Sequence, residues 1–434
     1  MKKSVTGSFF ILAILLLITT ECSQQTHNSE LSRTRSDVLE AGEPESVGMS
    51  SERLARIDTV MIRYIENKWM PGAVCLIARH GKIIYHKSFG YRDIETVDPM
   101  QLDDIFRIAS MTKAITTVAV MMLYEEGHFF LDDPISKYIP EFENPVILEE
   151  VNKEDSTYTS YPAKGEITIR HLLTHTSGIG YGIFNSNLKI LYDRAGVIDG
   201  GIAKTDKTLE ESIKALAKLP VLHEPGENFV YGLNTDVLGY LVEVISGQEL
   251  DVFFNDRIFK PLGMTDICFH ISDDKTDRLV NLCEIGEDNV LRKSSNEQYD
   301  YALEPNVTYL SGGGGLCSTA LDYAKFIQML LNGGKYNDKQ ILSPKTIDLI
   351  TTNQVGDLWG DGAFGLGFGI TTKANTADIL SSEGNYWWSG IFSTSFWIDP
   401  SEDLISIMMT QMSPFQQSGI HSKYQILTYQ AIVD

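Results

Sequence analysis

From Ala114 to Leu123 the chain reads Ala-Ile-Thr-Thr-Val-Ala-Val-Met-Met-Leu, an apolar run broken only by Thr116 and Thr117. Such a segment leaves no face for water, and a helix that is apolar all round is a buried one. It is too short to span a bilayer, which takes about twenty residues. The rest of the chain must therefore supply protein walls for it.

Ser110 stands where this helix should begin, and Lys113, three residues on, shares its face one turn later. A serine at a helix start meets unpaired N–H groups and the positive end of the helix dipole, which favour an alkoxide and any oxyanion made from it. Burial disfavours the charged form of an amine, and only a neutral lysine accepts a proton. The spacing thus predicts a nucleophile and its base. The competing reading is an N-cap serine with a lysine in the first turn. Ser-x-x-Lys recurs at Ser186/Lys189 and Ser272/Lys275, but neither of those opens an apolar helix.

With 434 residues, 43% of them hydrophobic, the chain has material for a large core in one or two domains. A net charge of −22 argues against nucleic acid and anionic membrane surfaces as partners. Met1-Lys-Lys3 is followed by an apolar stretch from Phe9 to Ile18 and then Thr19-Thr-Glu-Cys22, the layout of an export signal. Cys22 resembles the acceptor cysteine of bacterial lipoproteins, although Glu21 departs from the small residue expected before it. The expectation is a signal segment over 1–22, a polar tether over 23–43, and a folded body from Pro44, in a protein that is periplasmic, lipid-anchored or secreted. Cys75, Cys268, Cys283 and Cys317 lack the C-x-x-C spacing of a zinc site and read as core residues, with one disulfide left open.

Leu54, Ile57, Val60, Met61 and Tyr64 recur at helical spacing after Ser50. Ala73–Arg79, the turn His80-Gly81, and Lys82–Gly90 read as a β-hairpin. A helix is expected over 167–178, where His171 and His175 have the spacing of a zinc pair. Leu172, however, stands where H-E-x-x-H carries its glutamate, so capping or packing is expected of them. Further helices are expected over 208–219, from Asp236, over 319–332 and over 423–433, and strands over 364–370, 395–400 and 404–411. Ser311-Gly-Gly-Gly-Gly315 lacks the Gly-Lys-Ser/Thr of a phosphate loop and reads as a tight turn beside a cleft. Strands at both ends around a helical middle suggest one sheet completed by the two termini.

Taken together, Ser110-Met-Thr-Lys113, Leu172–Gly178, Tyr231, Gly312–Leu316 and Trp388-Ser-Gly390 resemble, in order and spacing over about residues 44–430, the serine β-lactamase and penicillin-binding protein superfamily, class C-like branch. The resemblance implies an α+β fold. Its antiparallel sheet, over about 44–105 and 305–434, would be flanked by helices, with an inserted, mostly helical second domain over about 106–304. It implies acylation of Ser110, proton removal assisted by Lys113, and relay by Tyr231, whose phenolate nearby positive charge would favour. It also implies an oxyanion hole from the backbone N–H groups of Ser110 and Ile391, and no metal or cofactor.

Two departures bear on substrate. Leu233 occupies the asparagine position of the family's Tyr-x-Asn, with Asn234 one residue later, and Trp388-Ser389-Gly390 replaces Lys-Thr-Gly. Both remove polar groups that hold a lactam's amide and carboxylate, and the Trp-x-Gly form is common among family esterases. Behind it, Ser393 replaces the usual glycine. The expected activity is hydrolysis of small acyl esters. The alternatives are a D-amino-acid peptidase, a weak β-lactamase, or a penicillin-binding module that acylates without turnover.

Overall fold

The structure is a computed structural model that describes residues 38–413 and 419–434; the expected signal segment, Cys22 and the tether up to residue 37 lie outside them. The hairpin forms as the alternation predicts, from β2 (Gly72–Arg79) and β3 (Lys82–Asp93). His80 and Gly81 hold φ of 53° and 74°, the paired positive values of a two-residue hairpin turn.

The sheet starts earlier than expected. β1 (Glu40–Ala41) lies on β3 in parallel, Glu40 beside Lys82, so the folded body begins before Pro44 and the sheet is mixed rather than purely antiparallel. The added strand covers an edge of β3 that would otherwise expose unpaired backbone groups. The far end of β3 also pairs with β4 (Asp98–Pro99), through Tyr91 and Asp93.

The remaining strands come from the C-terminal third: β5 (Ala363–Phe364), β6 (Gly369–Ile370), β7 (Tyr386–Ser389), β8 (Ser395–Asp399) and β9 (Leu404–Met409). The order is β1-β3-β2-β9-β8-β7-β6-β5, so both ends of the chain complete one sheet. The segment expected as a single strand over 364–370 is two, because the Gly365 N–H turns back to the Phe368 carbonyl at 2.8 Å and Gly367 has a φ of 78°.

All eight residues of β2 are buried, since both faces of the sheet are covered. Val74, Leu76 and Ala78, with Phe396, Ile405 and Ile407, pack toward the helices Thr112–Glu125 and Ala320–Leu331. Ala73, Cys75, Ile77, Trp397 and Met408 pack toward Ser51–Glu66 and Ile420–Tyr429. The Thr112–Glu125 helix is buried from Thr112 through Leu123, as its composition demands. It lies against the helix Asn234–Ser246, where a side-chain carbon on Gly312 would come within 2.7 Å of the Thr235 carbonyl and 3.1 Å of Gly239 Cα.

The helix expected over 167–178 is short, Ile169–Leu173. His175 takes a left-handed φ of 55° and reverses the chain before Gly178 can. His171 closes a capping box with Thr168, its Nδ1 accepting from the Thr168 N–H at 3.2 Å. The four described cysteines are unbridged.

Leu76 is fully buried in the centre of the sheet, so Leu76→Ala should cost about 2–5 kcal/mol, read as a lower urea midpoint at unchanged slope. Burial pulls the His421 imidazole down to about 4. The unfolded chain therefore takes up a proton there before the folded one does, and stability should fall as pH drops from about 6.5 toward 4. His421→Gln should flatten that part of a thermal-midpoint profile.

Candidate active site

Ser110 lies in a tight 3₁₀ turn, Ala109–Met111, and the α-helix proper begins at Thr112. The turn is pinned on three sides. The Ile108 N–H donates to the Leu316 carbonyl at 3.0 Å, Thr394 Oγ1 donates to the Ile108 carbonyl at 3.2 Å, and the Tyr323 hydroxyl donates to the Met111 carbonyl at 2.9 Å. Ala109 holds a φ of 44°, a conformation a non-glycine residue keeps only when its surroundings over-determine it.

Lys113, one helical turn on, is 1% exposed. Three oxygens surround its Nζ: the Gly313 carbonyl at 2.6 Å, the Tyr181 hydroxyl at 3.0 Å and Ser110 Oγ at 3.2 Å. Counting protons shows what this set can do. A carbonyl only accepts, whereas a hydroxyl both donates and accepts. A neutral amine has two N–H bonds and one lone pair, so it can donate to Gly313 and Tyr181 and accept from the Ser110 hydroxyl. That is the arrangement in which an amine draws a proton from a serine.

Gly313 reaches the amine because the turn Ser311–Gly315 threads between helices. The buried Asp236 holds it, its Oδ1 accepting from Ser311 Oγ at 2.6 Å and from the Gly313 N–H at 3.3 Å. Burial raises the Asp236 carboxyl above the usual range, against the opposing pull of Lys113. Asp236 Oδ2 has no partner among the described residues.

Tyr231 sits over the same amine, but by its ring: Lys113 Nζ is 4.8 Å from the ring centroid. Its hydroxyl accepts from the Trp388 indole N–H at 3.3 Å. The phenol in direct hydrogen-bond contact with Lys113 is therefore Tyr181, whose ring is 5.3 Å from that of Tyr231. Burial, then the neighbouring Tyr231 and Asp236, push the Tyr181 hydroxyl well above its ordinary value, so it stays protonated near neutrality. The sequence held a faint signal for Tyr181, a tyrosine three residues past the Thr176-Ser-Gly178 turn. Nothing local paired it with a lysine 68 positions earlier.

Leu233 is 1% exposed and belongs to the core, so it offers no surface to a substrate, contrary to expectation; its apolar side chain finds its partners inside. The neighbouring Asn234 holds the wall of the site. Its amide donates to the Ile179 carbonyl at 3.1 Å and meets His175 Nδ1 at 3.0 Å, while its oxygen accepts from Ser177 Oγ. His175 packs under Tyr231 with ring centroids 4.7 Å apart. Burial and the nearby Lys113 hold its imidazole well below the usual range, so it is a neutral packing residue. No group of three or more His, Cys, Asp or Glu that could hold a metal ion occurs among the described residues.

Trp388, Ser389 and Gly390 form the end of β7 and the turn after it. A side-chain carbon on Gly390 would lie 2.5 Å from the Ile108 carbonyl and 3.3 Å from Ala109 Cβ, so glycine lets the strand press against the Ser110 turn. Ser389 is exposed and Ile391 is 43% exposed. Ser393, where a glycine is usual, holds a φ of 69°.

A family model described as Beta-lactamase matches residues 57–430. Protein Rv1367c of Mycobacterium tuberculosis is 34% identical over 364 residues, covering 80% of this chain and 86% of that protein. Esterase EstB of Burkholderia gladioli is 29% identical over 396 residues, covering 87% and 95%. Among solved structures, EstCE1, described as a hydrolase with promiscuous acyltransferase activity, superposes with a TM-score of 0.75 at 28% identity, covering 88% of this chain and 99% of that one. With its buried serine–lysine helix, its mixed sheet closed by both chain ends and a family match over most of its length, the chain belongs to the β-lactamase family, within a serine-hydrolase-type superfamily that includes esterases and acyltransferases.

Proposed function

We propose that this protein is an exported serine hydrolase that forms an acyl-enzyme on Ser110 and acts on small acyl esters. The observation that carries the reading is the buried Lys113 amine 3.2 Å from Ser110 Oγ, with its other two contacts taken by Gly313 and Tyr181. Ser110 attacks the ester carbonyl while its proton passes to Lys113, and the tetrahedral oxyanion is met by the backbone N–H groups of Ser110 and Ile391. Each such donor is worth roughly 100- to 1,000-fold in rate. Tyr231 and Tyr181 are the phenols within reach of the amine for returning that proton to the leaving oxygen. Water then releases the acid.

Esters are favoured over lactams because an indole stands where a lysine would pair with a lactam's carboxylate. The likeness to EstCE1 supports a second reading in which an alcohol replaces water as acceptor. Export, with Cys22 as the point of a lipid tether, rests on the N-terminal sequence and would appear as a mass shift on the mature N-terminus.

A fluorophosphonate probe should label the wild type stoichiometrically and leave Ser110→Ala unlabelled; equal labelling of both removes the nucleophile assignment. p-Nitrophenyl butyrate should turn over while nitrocefin is hydrolysed slowly or not at all, and fast nitrocefin hydrolysis would refute the ester preference. Tyr181→Phe keeps the ring but leaves the buried amine one hydrogen bond short, a cost of about 1–3 kcal/mol to the folded protein that should lower the thermal midpoint by a few degrees. The probe should also label Ser110 more slowly than in the wild type, and an unchanged labelling rate would remove Tyr181 from the proton path.

A further inference from the structure

Behind β7, on the face of the sheet that meets the helix Ile420–Tyr429, lies a cavity of about 740 Å³, within the range of small-molecule sites. Four tryptophans, Trp359, Trp387, Trp388 and Trp397, line it. Trp387 and Trp388 stack with centroids 5.8 Å apart, and Trp359 lies 6.1 Å from each. Ile370, Ile379, Ile391 and Phe396 add apolar surface, and Asn375, Ser389, Ser395, Ser422 and Gln425 set neutral polar groups among them, with Ser395 Oγ 2.9 Å from His421 Nδ1. No lysine or arginine lines the cavity, and Asp378 is its one carboxylate.

This wall selects a chemistry. Without a cation it gives an anionic ligand nothing to pair with, and one carboxylate beside many hydroxyls and amides is poor reason for a cationic one. An aliphatic ligand would leave those polar groups unpaired, at a cost for each. Hydroxyl groups both donate and accept, and flat aromatic faces pair with C–H surfaces. A ligand with hydroxyls on its rim and C–H groups on its faces is a carbohydrate.

The cavity also shares a wall with the catalytic site. Trp388 lines it while its indole N–H donates to the Tyr231 hydroxyl, and Gly390 lines it while pressing on the turn that carries Ser110. We propose that the cavity receives the sugar of an acylated carbohydrate, whose ester reaches past Gly390 to Ser110; this rests on the hydrolase reading above. Ser110 Oγ bonds to the carbonyl carbon, the bond from that carbon to the sugar oxygen breaks, and the serine's proton ends on that oxygen. The sugar leaves as an alcohol, and water converts the acyl-serine to a carboxylic acid and free Ser110.

Binding is tested without turnover, by titrating Ser110→Ala protein with maltose, cellobiose and N,N′-diacetylchitobiose and following tryptophan fluorescence. At least one sugar should give a saturable change, and Trp387→Ala and Gln425→Ala, each added to that background, should weaken it at least fivefold. In the active enzyme the same two substitutions should raise KM for the monoacetylated form of that sugar about tenfold, while kcat/KM for p-nitrophenyl acetate stays within twofold. The p-nitrophenyl acetate rate also shows that each variant is folded. No saturable change with any of the three sugars, or a change that both variants leave intact, overturns the assignment. Sugar binding that survives while fluorophosphonate labelling fails would leave the cavity assignment standing and remove the hydrolase reading.

Discussion

The amine of Lys113 is the group around which the rest of the structure is arranged. An ammonium or amine taken out of water is costly unless each of its hydrogen-bonding positions is filled, and here the three partners come from three separate parts of the chain. Ser110 lies one turn before it, Tyr181 follows the short helix Ile169–Leu173, and Gly313 belongs to the glycine turn that precedes the Ala320–Leu331 helix. The site exists only when the helical region and the segments flanking the sheet have both come into register.

Much of the surrounding architecture holds those three partners in place. Asp236 grips the Gly313 turn, Asn234 ties His175 to the loop carrying Ile179, and the Ser110 turn is bonded to Leu316 and Thr394. Three non-glycine residues near the site, Ala109, His175 and Ser393, sit at φ of 44°, 55° and 69°. Such backbone persists only where packing over-determines it. The low-strain core of β2, β9 and the two helical layers provides that rigidity.

The aromatic side of the site is continuous. Tyr181, Tyr231, Trp388 and Trp359 follow one another at ring spacings between 5.3 and 6.1 Å, so a path of π-faces leads from the amine to the indoles behind β7. One strand end, Trp388–Gly390, bears on both the catalytic turn and the cavity.

Local sequence was enough for the elements whose signal is local. The buried helix, the β2–β3 hairpin with its His80-Gly81 turn and the sheet completed from both termini all follow from period and turn chemistry, and so does the one-turn spacing of Ser110 and Lys113. Where partners are distant in sequence, only the folded chain decided. It put the Tyr181 hydroxyl rather than that of Tyr231 on the amine, moved Leu233 into the core and Asn234 onto the site's wall, and laid Glu40–Ala41 along β3. The reason is physical: periodicity and turn preferences act over a few residues, whereas which buried polar atom meets which is set by satisfying every donor and acceptor at once in three dimensions.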